Sequence, residues 1–292
     1  MRRDKILKKG IWYPQAFSHP TGHVHLRLSR AAIEGNLDKT TADVVAFRRE
    51  YDIAKSAGFH TAIFSSEFFH SEMREEQSLI SLREFLSQYF DEFQLVYYAR
   101  RQDRMLASMH STAVKGAWTT NPDALSVYES KGRYYFDHLA VCDLWSKVFD
   151  RRSLVCRVYE RDKLISANVV DDFCTLAGVD LAGEASRPSS NESLSLETMW
   201  ALLLVNGSKH KDNTELRRKL IAMGKKRNGR KIPMLTRADA ERFYARFANE
   251  NRRFFANYVD PNVAVDFSGE FQDFPNKLPH MTAEEIQAFI FG

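Results

Sequence analysis

Three short apolar runs constrain the chain most: "TAIFSS" (61–66), "FQLVYYA" (93–99) and "SLVCRVY" (153–159). Each is rich in β-branched or aromatic residues and bounded by polar turns, as buried strands are. Between them apolar residues recur at helical spacing. "TADVVAFRREYDIAKSAGF" leads into the first run, with Thr41 placed to cap a helix and Gly58 just past its end. "EEQSLISLREFLSQYF" joins the first run to the second, and "RYYFDHLAVCDLWSKVFD" precedes the third. Strands that alternate with crossover helices lie parallel, and a parallel sheet is covered on both faces. The chain is therefore expected to be α/β, with a fourth short strand at "IWYP" (11–14). After about residue 190 the pattern turns helical, in "SLETMWALLLVNG", "NTELRRKLIAM" and "RADAERFYARFANENRRFFANYV". The expectation is a single domain over 1–292: an α/β core at about 10–180, a helical part at about 190–258, and an irregular tail at 259–292 carrying Pro261, Pro275 and Pro279.

Charge narrows the partners. The 292 residues carry a formal charge of +4, with 27% charged residues of both signs. That is far from the concentrated basicity of most nucleic-acid binders, so an anionic small molecule fits better than a duplex. Cys142, Cys156 and Cys174 lie in apolar periodic stretches at spacings that match no zinc or disulfide framework, so buried, reduced thiols in a cytoplasmic protein are expected. The start, "MRRDKILKKGIWYP", lacks the apolar run of a secretion signal, and the longest apolar run, "MWALLLV", is too short to span a membrane. "HPTGHVH" (19–25) has no carboxylate or cysteine at ligand spacing and is expected to be a polar loop rather than a metal site.

Ligands of parallel α/β sheets sit beyond the carboxyl ends of the strands. Arg100 and Arg101 stand at that end of the second run. A helix beginning near Gln102 or Asp103 puts Ser108 in its second turn, so a guanidinium and a hydroxyl can approach one anion, and a phosphate suits them. The competing reading pairs Arg100 or Arg101 with Asp103 or Glu67 and leaves Ser108 as a small packing residue. His60 precedes its strand and falls at the wrong end of the sheet, whereas His70 and His110 remain secondary candidates. Arg157 could meet a ligand or an acidic helix residue equally well.

The stretch "YYARRQDRMLASMH" resembles the 3′-phosphate-binding element of sulfotransferases that use 3′-phosphoadenosine 5′-phosphosulfate (PAPS). "GIWYP", "IFSSEFF", "RRQDRMLASMHSTAVKG", "LWSKVFDRRSLVCRVYERDKL", "VVDDFCTLAGVD" and "ERFYARFANENRRFFANYV" resemble bacterial members of that family in the same order, over roughly residues 10–258. The resemblance implies a parallel-sheet P-loop NTPase-like fold with a helical C-terminal part. It also implies a cytoplasmic enzyme that needs no metal and moves a sulfonate from PAPS to a hydroxyl or amine, on a small-molecule or glycan acceptor. It assigns the 3′-phosphate to Arg100 and Ser108 and the adenosine part to Tyr159, and a base is then needed, for which Glu67 is the first choice. Glu67 could instead pair with Arg100 or cap a helix, and Tyr159 could simply close its strand. Many family members carry Pro where this chain has Gln102.

The family's 5′-phosphosulfate loop is not found. "DKTTAD" (38–43) follows no apolar strand, and "GKKRNGRK" (224–231) has Gly224 and Gly229 at P-loop spacing but Arg230 and Lys231 where Lys and Ser/Thr belong. Both are expected to be solvated loops, and the basic one could attract an acidic glycan. A start clipped just after the loop is the favoured explanation. The alternatives are a degenerate, non-catalytic relative that binds a nucleotide or a partner protein and, less supported, a nucleotide kinase of the same fold.

Overall fold

The structure, a computed structural model, describes residues 10–18, 25–179, 193–227 and 229–291. In chain order the elements are β1 (Ile11–Trp12), α1 (Leu26–Ile33), α2 (Ala42–Ser56), β2 (Thr61–Ala62), α3 (Phe68–Ser71), α4 (Glu76–Leu86), β3 (Leu95–Ala99), α5 (Gln102–Lys115), α6 (Leu125–Lys131), α7 (His138–Phe149), β4 (Leu154–Val158), α8 (Val169–Leu176), α9 (Leu196–Asn206), α10 (Thr214–Arg227), α11 (Arg237–Ala245), α12 (Ala248–Tyr258) and α13 (Ala283–Phe291). They form two compact units that interleave in sequence. One is Met1–Ala99, Asp137–Glu184 and Arg252–Val265; the other is Arg100–Phe136, Ala185–Asn251 and Asp266–Gly292.

The first unit is α/β. Its strands form two parallel pairs rather than one sheet: β1 with β2, and β3 with β4, the latter in register from Leu95 opposite Leu154 to Ala99 opposite Val158. Helix α2 matches its sequence signals. Thr41 Oγ1 accepts from the Val44 N–H at 3.3 Å, and Gly58 adopts φ +80°, which lets the Gly58 and Phe59 N–H groups close on Lys55 O and Ala54 O at 3.0 Å each. "DKTTAD" thus serves as a helix start. Ile63 N–H reaches Trp12 O at 2.9 Å, but the expected strand stops there because the Ser65 N–H turns to His25 Nδ1 at 2.9 Å.

His25 is the one described residue of "HPTGHVH" that can be placed; residues 19–24 lie outside the described residues. It is fully buried and packs against Tyr13 and Phe64. Its Nε2 donates to Pro14 O at 3.1 Å while Nδ1 accepts from Ser65, which joins the segments that leave β1 and β2. Burial lowers its pKa to about 4, partly opposed by those two backbone bonds. The ring is therefore neutral and structural. Around it Trp12 stacks on Phe47 at 5.4 Å, and Phe17, Phe47, Met73 and Leu79 are wholly buried. Each such side chain contributes roughly 1.5–3 kcal/mol.

The second unit is helical. Asn206 Nδ2 and Arg217 Nη2 both donate to Val114 O, at 3.1 and 2.9 Å, and so satisfy the carboxyl end of α5. Gly224 lies within α10 against α9, where a Cβ would collide with Thr198; Gly229 lies as tightly against Ser195 and Glu197. The "GKKRNGRK" segment is thus not a plain solvated loop: Gly224 lets α10 approach α9, and Gly229 packs closely on the start of α9. The expected helix over 237–259 breaks into α11 and α12, because Arg246 and Phe247 N–H close short bonds to Phe243 O and Tyr244 O at 3.3 and 3.0 Å and turn Phe247 into the core. The tail is not wholly irregular. Thr282 and Glu285 exchange side-chain-to-backbone bonds of 3.2 and 2.7 Å at the start of α13, which buries Ile286 and Phe289.

Candidate functional site

Within the first unit, the β3–β4 pair carries two clusters of hydrogen-bonded polar side chains, one on each face. Successive residues of a strand point to opposite faces, so Tyr97 and Tyr98 serve different neighbours. On one face, Tyr98 lies opposite Arg157 in the register and both converge on Asp172 of α8. The Tyr98 hydroxyl donates to Asp172 Oδ2 at 2.7 Å, Arg157 Nε donates to the same oxygen at 3.0 Å, and Arg157 Nη2 donates to Oδ1 at 2.5 Å. The Ile165 N–H adds a fourth bond at 3.1 Å.

Asp172 is fully buried. Burial works to raise its pKa, but the Arg157 and Tyr98 hydrogen bonds outweigh it and hold the carboxyl below its ordinary value. The same contacts push Tyr98 well above the tyrosine range, burial first and the Asp172 bond second. Arg157 thus meets an acidic helix residue, one of the two outcomes its position allowed. Tyr159 continues the ladder, its N–H on Ala99 O at 2.7 Å, and its half-exposed ring meets Tyr98 edge-on at 6.5 Å.

On the opposite face, the Tyr97 hydroxyl and His138 Nδ1 are 2.7 Å apart, and the His70 ring meets Tyr97 edge-on at 5.7 Å. His138 is the first residue of α7, whose start is capped by Asp137 Oδ1 accepting from the Ala140 N–H at 3.0 Å. Glu67 is exposed and occupies the capping position of the short helix α3. Its backbone carbonyl, not its carboxylate, takes the Ser71 N–H at 3.0 Å.

Arg100 opens the second unit, half-buried, and Ser108 stands exposed in the second turn of α5. The neighbouring arginine has a different task. Arg101 is buried, grips Asp103 with two bonds of 2.7 and 2.8 Å, donates to Ser268 O, and lies 4.1 Å over the Phe271 ring. Pairing with Asp103 is therefore what Arg101 does. Gln102, at the first helical position where proline is well tolerated, exchanges amide bonds of 2.6 and 3.1 Å with Asn251. His110 is buried, with Nε2 on Asn121 O at 2.8 Å and its pKa lowered by burial, so it is a core histidine.

Tyr98, Asp172, Tyr97 and His138 escaped the sequence reading. The "YY" pair in a strand signals two faces, and "DH" before an apolar helical period signals a capped helix with a histidine in its first turn. Nothing local links Tyr98 to Asp172. Among the described residues no three His, Cys, Asp or Glu side chains are arranged to hold a metal ion, and no helix is long and apolar enough to cross a membrane.

No family model matches the chain, and no solved structure matches it. It is similar to an uncharacterized protein of Archaeoglobus fulgidus, 23% identical over 200 residues that make up 67% of this chain and 54% of that protein. The chain thus spans about half the length of the relative it matches.

Proposed function

We propose that the chain binds a 3′-phosphorylated adenine nucleotide and belongs to a sulfotransferase-like protein that moves a sulfonate from PAPS to a hydroxyl or amine, on a carbohydrate. The observation that carries the reading is the arrangement strand, Arg100, helix, exposed Ser108, in a chain whose other segments resemble the family in order. Arg101, beside it, is engaged with Asp103, and the phosphate role is assigned to Arg100 on its spacing to Ser108. In the transfer, the bond from sulfur to the nucleotide phosphate breaks, a bond to the acceptor forms, and the acceptor's proton passes to a base, assigned here to Glu67. Tyr159 is assigned to the adenosine part.

A second reading, a non-catalytic relative that keeps only the 3′-phosphate element, rests on the same strand, Arg100, helix, Ser108 arrangement and asks for nothing beyond it. Both readings require nucleotide binding, so that is the first test. Titration calorimetry with adenosine 3′,5′-bisphosphate should show binding, and Arg100→Ala should weaken it about tenfold or more, the loss of one charge-assisted bond. Adenosine 5′-monophosphate should bind both forms alike. An unchanged bisphosphate affinity in the variant removes the assignment; sulfonate transfer to a carbohydrate then separates the enzyme from the non-catalytic relative.

A further inference from the structure

Two of the three cysteines meet inside the first unit. Cys142 on α7 and Cys156 on β4 hold their sulfurs 3.7 Å apart, in contact but not bonded, and both are buried. The surroundings are ordered by the sheet. Cys156 lies directly opposite Tyr97 in the β3–β4 register, and Cys142 lies one helical turn beyond His138, the partner of Tyr97. One face of α7 therefore sets a histidine on a tyrosine and, a turn later, a thiol on a thiol. Helix, strand and register hold the two sulfurs in contact, the starting point a disulfide needs. Cys174 sits apart, packed with Ile11, Ile63 and Val179.

We propose that Cys142 and Cys156 form a reversible disulfide when the protein meets a hydroperoxide, making this face of β4 a site of oxidative modification. Cys156 is the less enclosed residue, 7% exposed against 1%, and is assigned here as the sulfur that meets the peroxide. Its thiolate attacks one peroxide oxygen, the O–O bond breaks, and Cys156 becomes a sulfenic acid as the other oxygen leaves and is protonated to water. Cys142 then attacks the sulfenic sulfur; the S–S bond forms and the sulfenic oxygen leaves as a second water. The two thiols supply two electrons and two protons, and hydrogen peroxide is reduced to two waters. Burial and the Cys156 contact raise the Cys142 thiol, so Cys142 gives its proton to the departing sulfenic oxygen as it attacks. The bond ties α7 to β4 beside the Tyr97–His138 contact.

The test uses the whole chain, reduced and then exposed to hydrogen peroxide under native conditions, quenched, unfolded and titrated with a maleimide. The alkylatable thiols should fall from three to one, peptide mapping should place the link between Cys142 and Cys156, and dithiothreitol should restore all three. In Cys142→Ser no linked peptide should appear, and a dimedone adduct should accumulate on Cys156; Cys156→Ala should leave Cys142 a thiol. Three alkylatable thiols after treatment, a link that includes Cys174, or conversion of Cys156 to a sulfinate in the wild-type chain overturns the proposal. The wild-type readout does not depend on either variant folding.

Discussion

Two arginine–aspartate pairs built on buried acids, one in each unit, look alike and do different work. Arg157 and Asp172 come from a strand and a helix, and the carboxylate gathers four donors, from Arg157, Tyr98 and Ile165. Arg101 and Asp103 are two residues apart at one helix start, and there the arginine is the hub: it also holds Ser268 O and the face of Phe271. The first pair fixes tertiary structure through its acid. The second ties a helix start to a distant segment through its base. The difference shows that an arginine at a strand end cannot be assigned to a ligand by position alone, since Arg101 stands there too and spends its guanidinium on Asp103, Ser268 O and Phe271.

The largest expected effect comes from removing the acid of the first pair. Asp172→Ala removes the acceptor of four bonds and leaves the part-buried Arg157 guanidinium with only the Lys163 carbonyl, at 3.3 Å, and removing one partner of such a pair costs about 3–5 kcal/mol. Asp103→Ala should cost less, about 1–3 kcal/mol, because Arg101 keeps its carbonyl and aromatic contacts. Urea denaturation of both variants compares them directly. Equal losses would show that the number of donors on the acid does not matter and would erase the distinction drawn between the pairs.

Acid sharpens the comparison within the first unit. His25 has its folded pKa near 4, below the unfolded value of about 6.5, so the fold favours the neutral ring. The sign follows: the contribution is complete above about pH 6.5 and is lost progressively as pH falls toward 4, up to about 3 kcal/mol in all. The physical cause is burial, which penalises the charged ring. Asp172, also lowered, adds its own loss only at more acidic pH, below the ordinary aspartate value near 3.9. Melts of the wild type from pH 7 to 4 should therefore fall steadily, and His25→Gln should flatten that slope while lowering stability at pH 7. A parallel slope in the variant would move the acid sensitivity elsewhere.

How much of this was legible depended on how far apart the participants lie in sequence. Thr41 and Gly58 announce helix α2 because a cap and a left-handed terminus are local chemistry. The short strands were legible as β3 and β4 but overextended at 61–66, since the residue that ends β2 is His25, 40 positions away from Ser65. Helix α13 carried a Thr282–Glu285 capping signal that the prolines before it obscured. Asp172 could not be found: its partner Tyr98 lies 74 residues away, and only the strand register brings Tyr98 beside Arg157. Two glycines at P-loop spacing proved to be packing glycines, because spacing without a preceding strand says nothing about a phosphate.

The smallest expected effect bears most directly on function. Ser108 is exposed, in the second turn of α5, and its own carbonyl serves the Thr112 hydroxyl at 3.2 Å, so its backbone belongs to the helix while its side chain adds little to the fold. Ser108→Ala should leave stability unchanged or raise it by up to about 0.5 kcal/mol, since alanine is the better helix former. If the hydroxyl binds the 3′-phosphate, the same change should weaken adenosine 3′,5′-bisphosphate by roughly 3- to 10-fold, the contribution of one ordinary hydrogen bond. Arg101→Ala gives the opposite pattern: a clear loss of stability, because Asp103 is left buried and unpaired. A bisphosphate affinity that survives Ser108→Ala while falling in Arg100→Ala would assign the phosphate to the arginine alone. Survival in both would return this helix start to the structural class that Arg101 already occupies.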